Sequence, residues 1–415
     1  MELSWIYVIP AVVMTLALFV VCRRTGTLVH PAPVLFGLYW ASSVGALIIN
    51  VDTLPGFNFV HTWQMMAGYS AMVLAVLFPA YFIPRIKPPR LSESGLFRLI
   101  LMVLIPLAWA SFIYQIPFAF ASLQAGADTI RMRLSTEEFA PLPQNLLTTI
   151  ATATTQFYPL YALAAVEGYV RRRGFLYIAS CVVGVLCVVV NSLCFSARDG
   201  VLWFLMSFWF AYWIYRPELK DRFGRAVLAI SALAVAGVLL VLAVFTYQRF
   251  GSSRVGIFDS VVTYFGQQPY VFAETVAEQS EFYGLNLRLP LIAEWMGTFE
   301  SVRRENVYEW TFGTFAKDFY AMDGWLTAFI AAGAIGLVFF LIFKAHRRVN
   351  EFGFCMLLLL YFQFTTQGMF FFRLGIRAGN YYILIILALA FLAQIISPRA
   401  TGDAPGEVGR VPASP

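Results

Sequence analysis

The chain has 415 residues, 60% of them hydrophobic and 13% charged, with a mean hydropathy of +0.72 and a formal net charge of +6. A soluble domain carries about a quarter of its residues charged, so the composition excludes an ordinary soluble protein and defines an all-α polytopic membrane protein. The pI of about 9.0 does not indicate a nucleic-acid binder, because the basic residues cluster beside apolar runs, where they orient helices.

A spanning helix needs about 20 mostly apolar residues. In chain order the apolar runs fall at about 4–22, 33–51, 63–83, 98–118, 146–168, 175–195, 200–216, 226–248, 320–343, 351–371 and 379–397. They predict about eleven transmembrane helices. The run at 200–216 is short. The run at 98–118 contains Pro106 and Pro117, which a spanning helix tolerates where neighbours satisfy the freed carbonyl.

The loops between these runs alternate in charge. One set carries Arg23, Arg24, Arg85, Lys87, Arg90, Arg98, Arg171, Arg172, Arg173, Arg216, Lys220, Arg222, Arg225, Lys344, Arg347, Arg348, Arg399 and Arg410, eighteen of the 29 lysines and arginines. Cytoplasmic loops are the basic ones. That rule puts this set inside, the amino terminus outside and the carboxyl terminus in the cytoplasm. Residues 1–397 form one integral membrane domain, with external loops at about 119–145 and 249–319. The tail at 398–415 is rich in Gly, Pro, Ala and Ser and reads as disordered. Met1 to Trp5 holds no cation, so no cleavable signal peptide is expected. The five cysteines lack metal or disulfide spacing and read as small apolar residues. There is no repeat at 20–50 residues and no inverted-repeat symmetry of the kind many transporters show.

Seven arginines sit against the topological bias, on the external side: Arg131, Arg133, Arg198, Arg249, Arg254, Arg373 and Arg377. A cation placed there points to a local job, and holding an anion at the membrane–water boundary is the natural one. A guanidinium suits a diphosphate because its planar fork binds two oxygens and keeps its charge when dehydrated. Arg249 and Arg254 flank FGSS, Arg198 lies in the tight turn SARDG, and Arg373 and Arg377 share a face if a helix runs through RLGIR. The alternative is pairing with neighbouring acids or lipid headgroups.

The 249–319 segment is rich in aromatics, among them Tyr264, Tyr270, Trp295 and Trp310. These read either as interfacial anchors or as a platform for sugar rings. Between 257 and 278 an apolar stripe of Ile257, Val261, Phe265 and Phe272 suits a helix lying on the membrane surface. Asp323 is either a general base or the cap of the following helix. His61, the one histidine on the external side, reads as an exposed interfacial residue or as a base. No HExxH, DxD or paired His/Cys cluster is present, nor a Walker loop, so neither a metal nor a nucleotide cofactor is expected.

With these residues placed, the chain resembles the O-antigen and capsular repeat-unit polymerases, the Wzy family. Most of the chain shares their topology. Two stretches carry the local likeness. SARDGVLWFL is similar to the family's Ser-Arg turn, with Ala197 between Ser196 and Arg198. NVYEWTFGTFAKDFYAMDGWLTAFIAAGAIGLVFF resembles the approach into a glycine-bearing span, with Asn306, Thr311, Asp323 and Gly324 at the matching places; the family's second glycine is absent, and Trp325 and Leu326 follow directly.

The resemblance implies a GT-C-like membrane glycosyltransferase in a bacterial cytoplasmic membrane. It would polymerise undecaprenyl-diphosphate-linked oligosaccharide repeat units at the outer face, independent of metal, with a chain-length regulator as a partner class. Arg254, Arg249 and Asp323 are then the candidate catalytic residues. Arg198, Arg373, Arg377, Arg131 and Arg133 are candidate diphosphate ligands, and Tyr264, Tyr270, Trp295 and Trp310 candidate sugar contacts. The competing readings are an O-antigen ligase, a lipid-linked oligosaccharide flippase and a non-catalytic component of a polysaccharide export complex.

Overall fold

The computed structural model describes residues 2–49, 61–84, 86–125, 141–143, 145–195, 197, 199–219, 257–279, 281–300 and 313–396. Among these the regular structure is helical, with no strand. The α-helices are α1 (Val8–Thr25), α2 (Pro31–Ile48), α3 (Trp63–Leu77), α4 (Gly95–Ala125), α5 (Leu146–Thr155), α6 (Tyr158–Val170), α7 (Phe175–Cys194), α8 (Asp199–Tyr215), α9 (Ile257–Glu278), α10 (Pro290–Trp295), α11 (Thr314–Lys344), α12 (Glu351–Gln367) and α13 (Arg377–Ile396). Local chemistry sets several starts. The side chains of Thr62, Asn145 and Asn350 accept from backbone N–H groups of the first turns of α3, α5 and α12, satisfying donors that a helix cannot pair internally.

Among the described residues, seven helical stretches are long and apolar enough to cross a membrane: Trp5–Thr25, Pro31–Ile48, Trp63–Phe82, Gly95–Ala125, Phe175–Cys194, Thr314–Lys344 and Arg377–Ile396. The protein is therefore an α-helical polytopic membrane protein. Of the other expected spans, 226–248 lies outside the described residues. The run at 146–168 is broken at Gln156–Phe157 into α5 and α6. Pro159, in the first turn of α6, cannot donate to Thr155. Helices α8 and α12 are 17 residues each, and α12 is buried along most of its length.

Contacts gather the loops at two ends. At one, Arg24 lies 3.7 Å above the Tyr81 ring, Arg171 pairs with Glu218 at 3.1 Å, Tyr215 donates to the Pro89 carbonyl at 2.9 Å, and the Asn350 N–H donates to Gln394 at 2.7 Å. These residues come from the basic set of loops. The described residues of the 249–319 segment meet the opposite end, and there one expectation fails. Helix α9 forms where the stripe predicted it but does not lie on a surface. Tyr270, Val271, Phe272 and Ala273 are fully buried. A Cβ on Gly266 would sit 2.4 Å from the Gly45 carbonyl carbon of α2, the close backbone approach that small residues permit in membrane helices. An amphipathic stripe looks the same whether its apolar face meets lipid or a neighbouring helix.

Helix α11 is kinked at Asp323 and Gly324. Gly324 has φ 75° and ψ −159°, a region open almost only to glycine. A Cβ there would also come within 3.2 Å of the Phe282 ring. Gly324→Ala is expected to cost roughly 1–3 kcal/mol and lower the thermal midpoint of the detergent-solubilised protein. Gly333→Ala, on the same helix with open space around it, is expected to leave the midpoint unchanged or raise it slightly.

Candidate functional site

The site is built around the turn that joins α12 to α13. Its backbone is held by the start of α11: the Gly313 and Thr314 N–H groups donate to the Phe370 carbonyl at 3.0 and 3.1 Å, and the Phe315 N–H to the Gly368 carbonyl at 2.8 Å. Asp318, fully buried on α11, accepts from the Arg288 guanidinium and from the Phe372 backbone N–H. Asn380 donates to the carbonyls of Leu374 (2.8 Å) and Arg288 (3.3 Å). The residue between these clamps is Arg373.

Arg373 turns inward. Its Nη2 donates to Asn191 Oδ1 at 3.0 Å, its Nη1 lies 3.7 Å from Asp199 Oδ2, and its guanidinium sits 4.4 Å from the Trp203 ring centre. Only 11% of the side chain is exposed. Burial pulls its pKa down while the Asp199 carboxylate pushes it up; a guanidinium keeps its charge under such opposing pulls. Five N–H donors are available on the group, and these contacts leave some of them over.

A polar lining surrounds it. Gln367 Nε2 donates to the Tyr158 hydroxyl at 3.3 Å, and Gln363 Nε2 takes the Gln156 carbonyl at 3.0 Å, at the break between α5 and α6. Among the described residues, Asn191 Nδ2, Trp203 Nε1, Gln367 Oε1 and the Tyr382 hydroxyl are buried without a hydrogen-bond partner. A buried polar atom of this kind costs about 1–3 kcal/mol and is the place where a polar ligand or water is accepted. The arrangement can hold an anion on Arg373 and hydroxyl-bearing groups beside it.

The predicted residues divide sharply. Arg131, Arg133, Arg198, Arg249, Arg254 and Trp310 lie outside the described residues. Arg373 and Arg377 do not share a face: residues 373–375 form a 3-10 turn before α13 begins. Arg377 points away, half-exposed and paired with Glu294. Asp323 is exposed, and its Oδ2 accepts from the Thr327 hydroxyl one turn on, at 3.1 Å. That is the geometry of a residue starting the second half of α11. Tyr270 offers no ring face to a sugar, because it stacks on Tyr7 at 3.9 Å and donates to the Ala46 carbonyl at 3.1 Å. Tyr264 is half-buried against Phe265 and Phe370. Trp295 is 66% exposed and keeps its face free for a ligand.

His61 is neither an exposed interfacial residue nor an accessible base. Its side chain and that of Glu274 are fully buried and 2.9 Å apart, and the Tyr7 hydroxyl lies 2.5 Å from its Nδ1. Burial lowers its pKa to about 4. The neutral ring then donates from Nε2 to Glu274 and accepts from Tyr7. This chain locks the amino-terminal segment, the start of α3 and α9 together.

Sequence reasoning missed Arg288, Asn191, Trp203, Tyr158 and Gln367. Asn191 and Gln367 carried a usable signal, being amides inside apolar runs, VVVNSLC and FQFTTQG. Comparison with known proteins returns no matching family model, no matching curated protein and no matching solved structure.

Breaking the Arg288–Asp318 pair strands a charge in the interior, at about 3–5 kcal/mol. Asp318→Ala is expected to cut the yield of monodisperse protein severely. The double change Arg288→Met, Asp318→Leu is expected to recover much of that yield, since an apolar pair replaces both charges at once. Comparing the size-exclusion profiles of the two variants checks it.

Proposed function

We propose that the protein is a membrane glycosyltransferase of GT-C-like architecture that polymerises lipid-diphosphate-linked oligosaccharide repeat units at the outer face of a bacterial cytoplasmic membrane. The observation that carries the reading is Arg373: a buried cation at the bundle end opposite the basic loops, held by Asp199 and Asn191 and ringed by unpartnered polar atoms. Such a group at membrane depth is functional by default. The diphosphate of a polyprenol lies at the headgroup plane, where Arg373 and the arginines of the 249–319 segment would meet it.

In the proposed reaction a hydroxyl of the incoming repeat attacks the anomeric carbon of the growing glycan. The bond from that carbon to the lipid diphosphate breaks. The hydroxyl proton passes to a base, and the lipid diphosphate leaves with its added negative charge. Fixed guanidiniums stabilise that charge as it develops. The glycosyl-phosphate bond supplies the energy, so no nucleotide is required. Trp295 offers a ring face for a sugar, and Gln367, Asn191 and Tyr382 offer polar atoms for hydroxyls. Asp199, beside Arg373, is better placed than Asp323 to accept a proton at this site.

Glycan electrophoresis of a deletion strain tests this directly. Loss of the polymer ladder, leaving one repeat per acceptor, is the expected result; loss of all acceptor-linked glycan would indicate a ligase instead. When the gene is restored, Arg373→Ala is expected to lower polymer by about one to two decades in rate, from the loss of one or more charge-assisted bonds of about 1.5–3 kcal/mol. Arg373→Lys should keep part of it, having the charge without the fork. Asp323→Asn should be near normal, because Asn starts a helix about as well as Asp. A normal ladder from Arg373→Ala at normal protein level would remove this site from the reaction.

A further inference from the structure

The bundle end that gathers the basic loops carries a groove that the proposed reaction does not use. Helices α4 and α7 both begin at this end, with starts at Gly95 and Phe175, and pack side by side. Between their first turns opens a groove of about 480 Å³. Arg98 and Arg173 line its mouth, and Leu101, Met102, Ile105 and Tyr177 line its walls. It runs from Arg98 to Pro106, about 12 Å at the rise of a helix. Below it the helices close: Trp109 Nε1 donates to Ser180 Oγ at 3.1 Å, and the Cys187 thiol to the Ala108 carbonyl at 3.3 Å.

The two cations differ from their neighbours. Arg171 is paired with Glu218, Arg90 with Glu93, and Arg24 is stacked on Tyr81. Arg98 and Arg173 are exposed, and neither is within ion-pair distance of a carboxylate among the described residues. Arg98 is instead steadied by a bond from its Nη2 to the Glu93 carbonyl oxygen at 3.4 Å, which leaves the group's charge unmatched. Two unmatched guanidiniums from different segments thus stand over an apolar slot that opens to the bilayer. A phosphodiester matches the first feature in charge and geometry. A hydrocarbon chain matches the second.

We propose that the groove between α4 and α7 binds one anionic glycerophospholipid, its phosphodiester between Arg98 and Arg173 and one acyl chain laid between the helices. A lipid held there wedges α4 and α7 at the end opposite the Arg373 site. The inference rests on the membrane-spanning fold and not on the proposed polymerase activity, so either can fail alone.

Native mass spectrometry of the full-length protein, delipidated and then titrated with dipalmitoyl phosphatidylglycerol or dipalmitoyl phosphatidylcholine, tests it. The expected result is one tightly retained phosphatidylglycerol per chain and no comparable retention of phosphatidylcholine. Arg98→Ala with Arg173→Ala should lower that occupancy roughly tenfold or more, two charge-assisted contacts being lost. Arg24→Ala with Arg171→Ala removes the same charge from the same end and should leave it unchanged. Ile105→Trp keeps both cations, fills the slot and should lower occupancy; it serves as the test should the double arginine variant not fold. Equal retention of the two lipids overturns the proposal. So does an equal loss from both arginine pairs, or displacement by undecaprenyl phosphate that excess phosphatidylglycerol cannot reverse.

Discussion

Asp318 is a carboxylate with no exposed surface in a protein whose surroundings are largely hydrocarbon. An ionised carboxylate in such a place persists only if paired and hydrogen-bonded. Arg288 and the Phe372 N–H do both. In doing so they tie α11, the segment before α10 and the turn after α12 into one unit. The same constraint recurs across the end opposite the basic loops. Arg373 must find Asp199 and Asn191, and Glu274 must find His61. Each pair joins segments far apart in the chain, so satisfying buried charge and fixing the tertiary structure are one requirement. The turn bearing Arg373 is held from both sides because Asp318 and Asn380 bind the backbone on either flank of it.

This framework gives the site its chemical character. A guanidinium tied by two partners over an indole ring cannot swing away, so it presents a fixed positive charge to any anion that arrives. Pre-set donors of this kind stabilise charge in a reaction without reorganising at the moment of transfer. The separation of the ends matters equally. Among the described cations of the basic loops, Arg24, Arg90, Arg171 and Lys344 each meet an acid or an aromatic ring, whereas at the opposite end Asp318, Arg288, Asp199 and Arg373 converge on one turn.

Much of the fold was legible because lipid makes a simple demand: a backbone crossing hydrocarbon must be helical, and its side chains apolar. Among the described residues seven of the expected spans form helices long and apolar enough to cross a membrane for that reason. The breaks were less legible. Pro159 stops one helix at Gln156, while Pro106 and Pro117 ride inside α4 without ending it. Whether a proline interrupts depends on the neighbours that meet the exposed carbonyls; at this break Gln363 donates to that of Gln156. Helix α9 shows the same limit, since its stripe specified an apolar face but not what covers it. At the site, the arginine at 373 was visible as a charge out of place, but its separation from Arg377 was not, because residues 373–375 form a 3-10 turn packed so closely on Arg288 of another segment that a Cβ on Gly375 would lie 2.8 Å from its side chain. His61 and Glu274 are 213 residues apart, and no spacing rule connects them.

In the proposed reaction this single chain joins lipid-linked glycans using only the glycosyl-phosphate bond. Incubating the purified protein in bilayers with a lipid-diphosphate-linked repeat unit, in chelator and without nucleotide, measures this most directly. A ladder of lengthening glycans and release of lipid diphosphate are the expected products, both strongly reduced by Arg373→Ala. Repeat units that stay single in the presence of folded, monodisperse protein would contradict it.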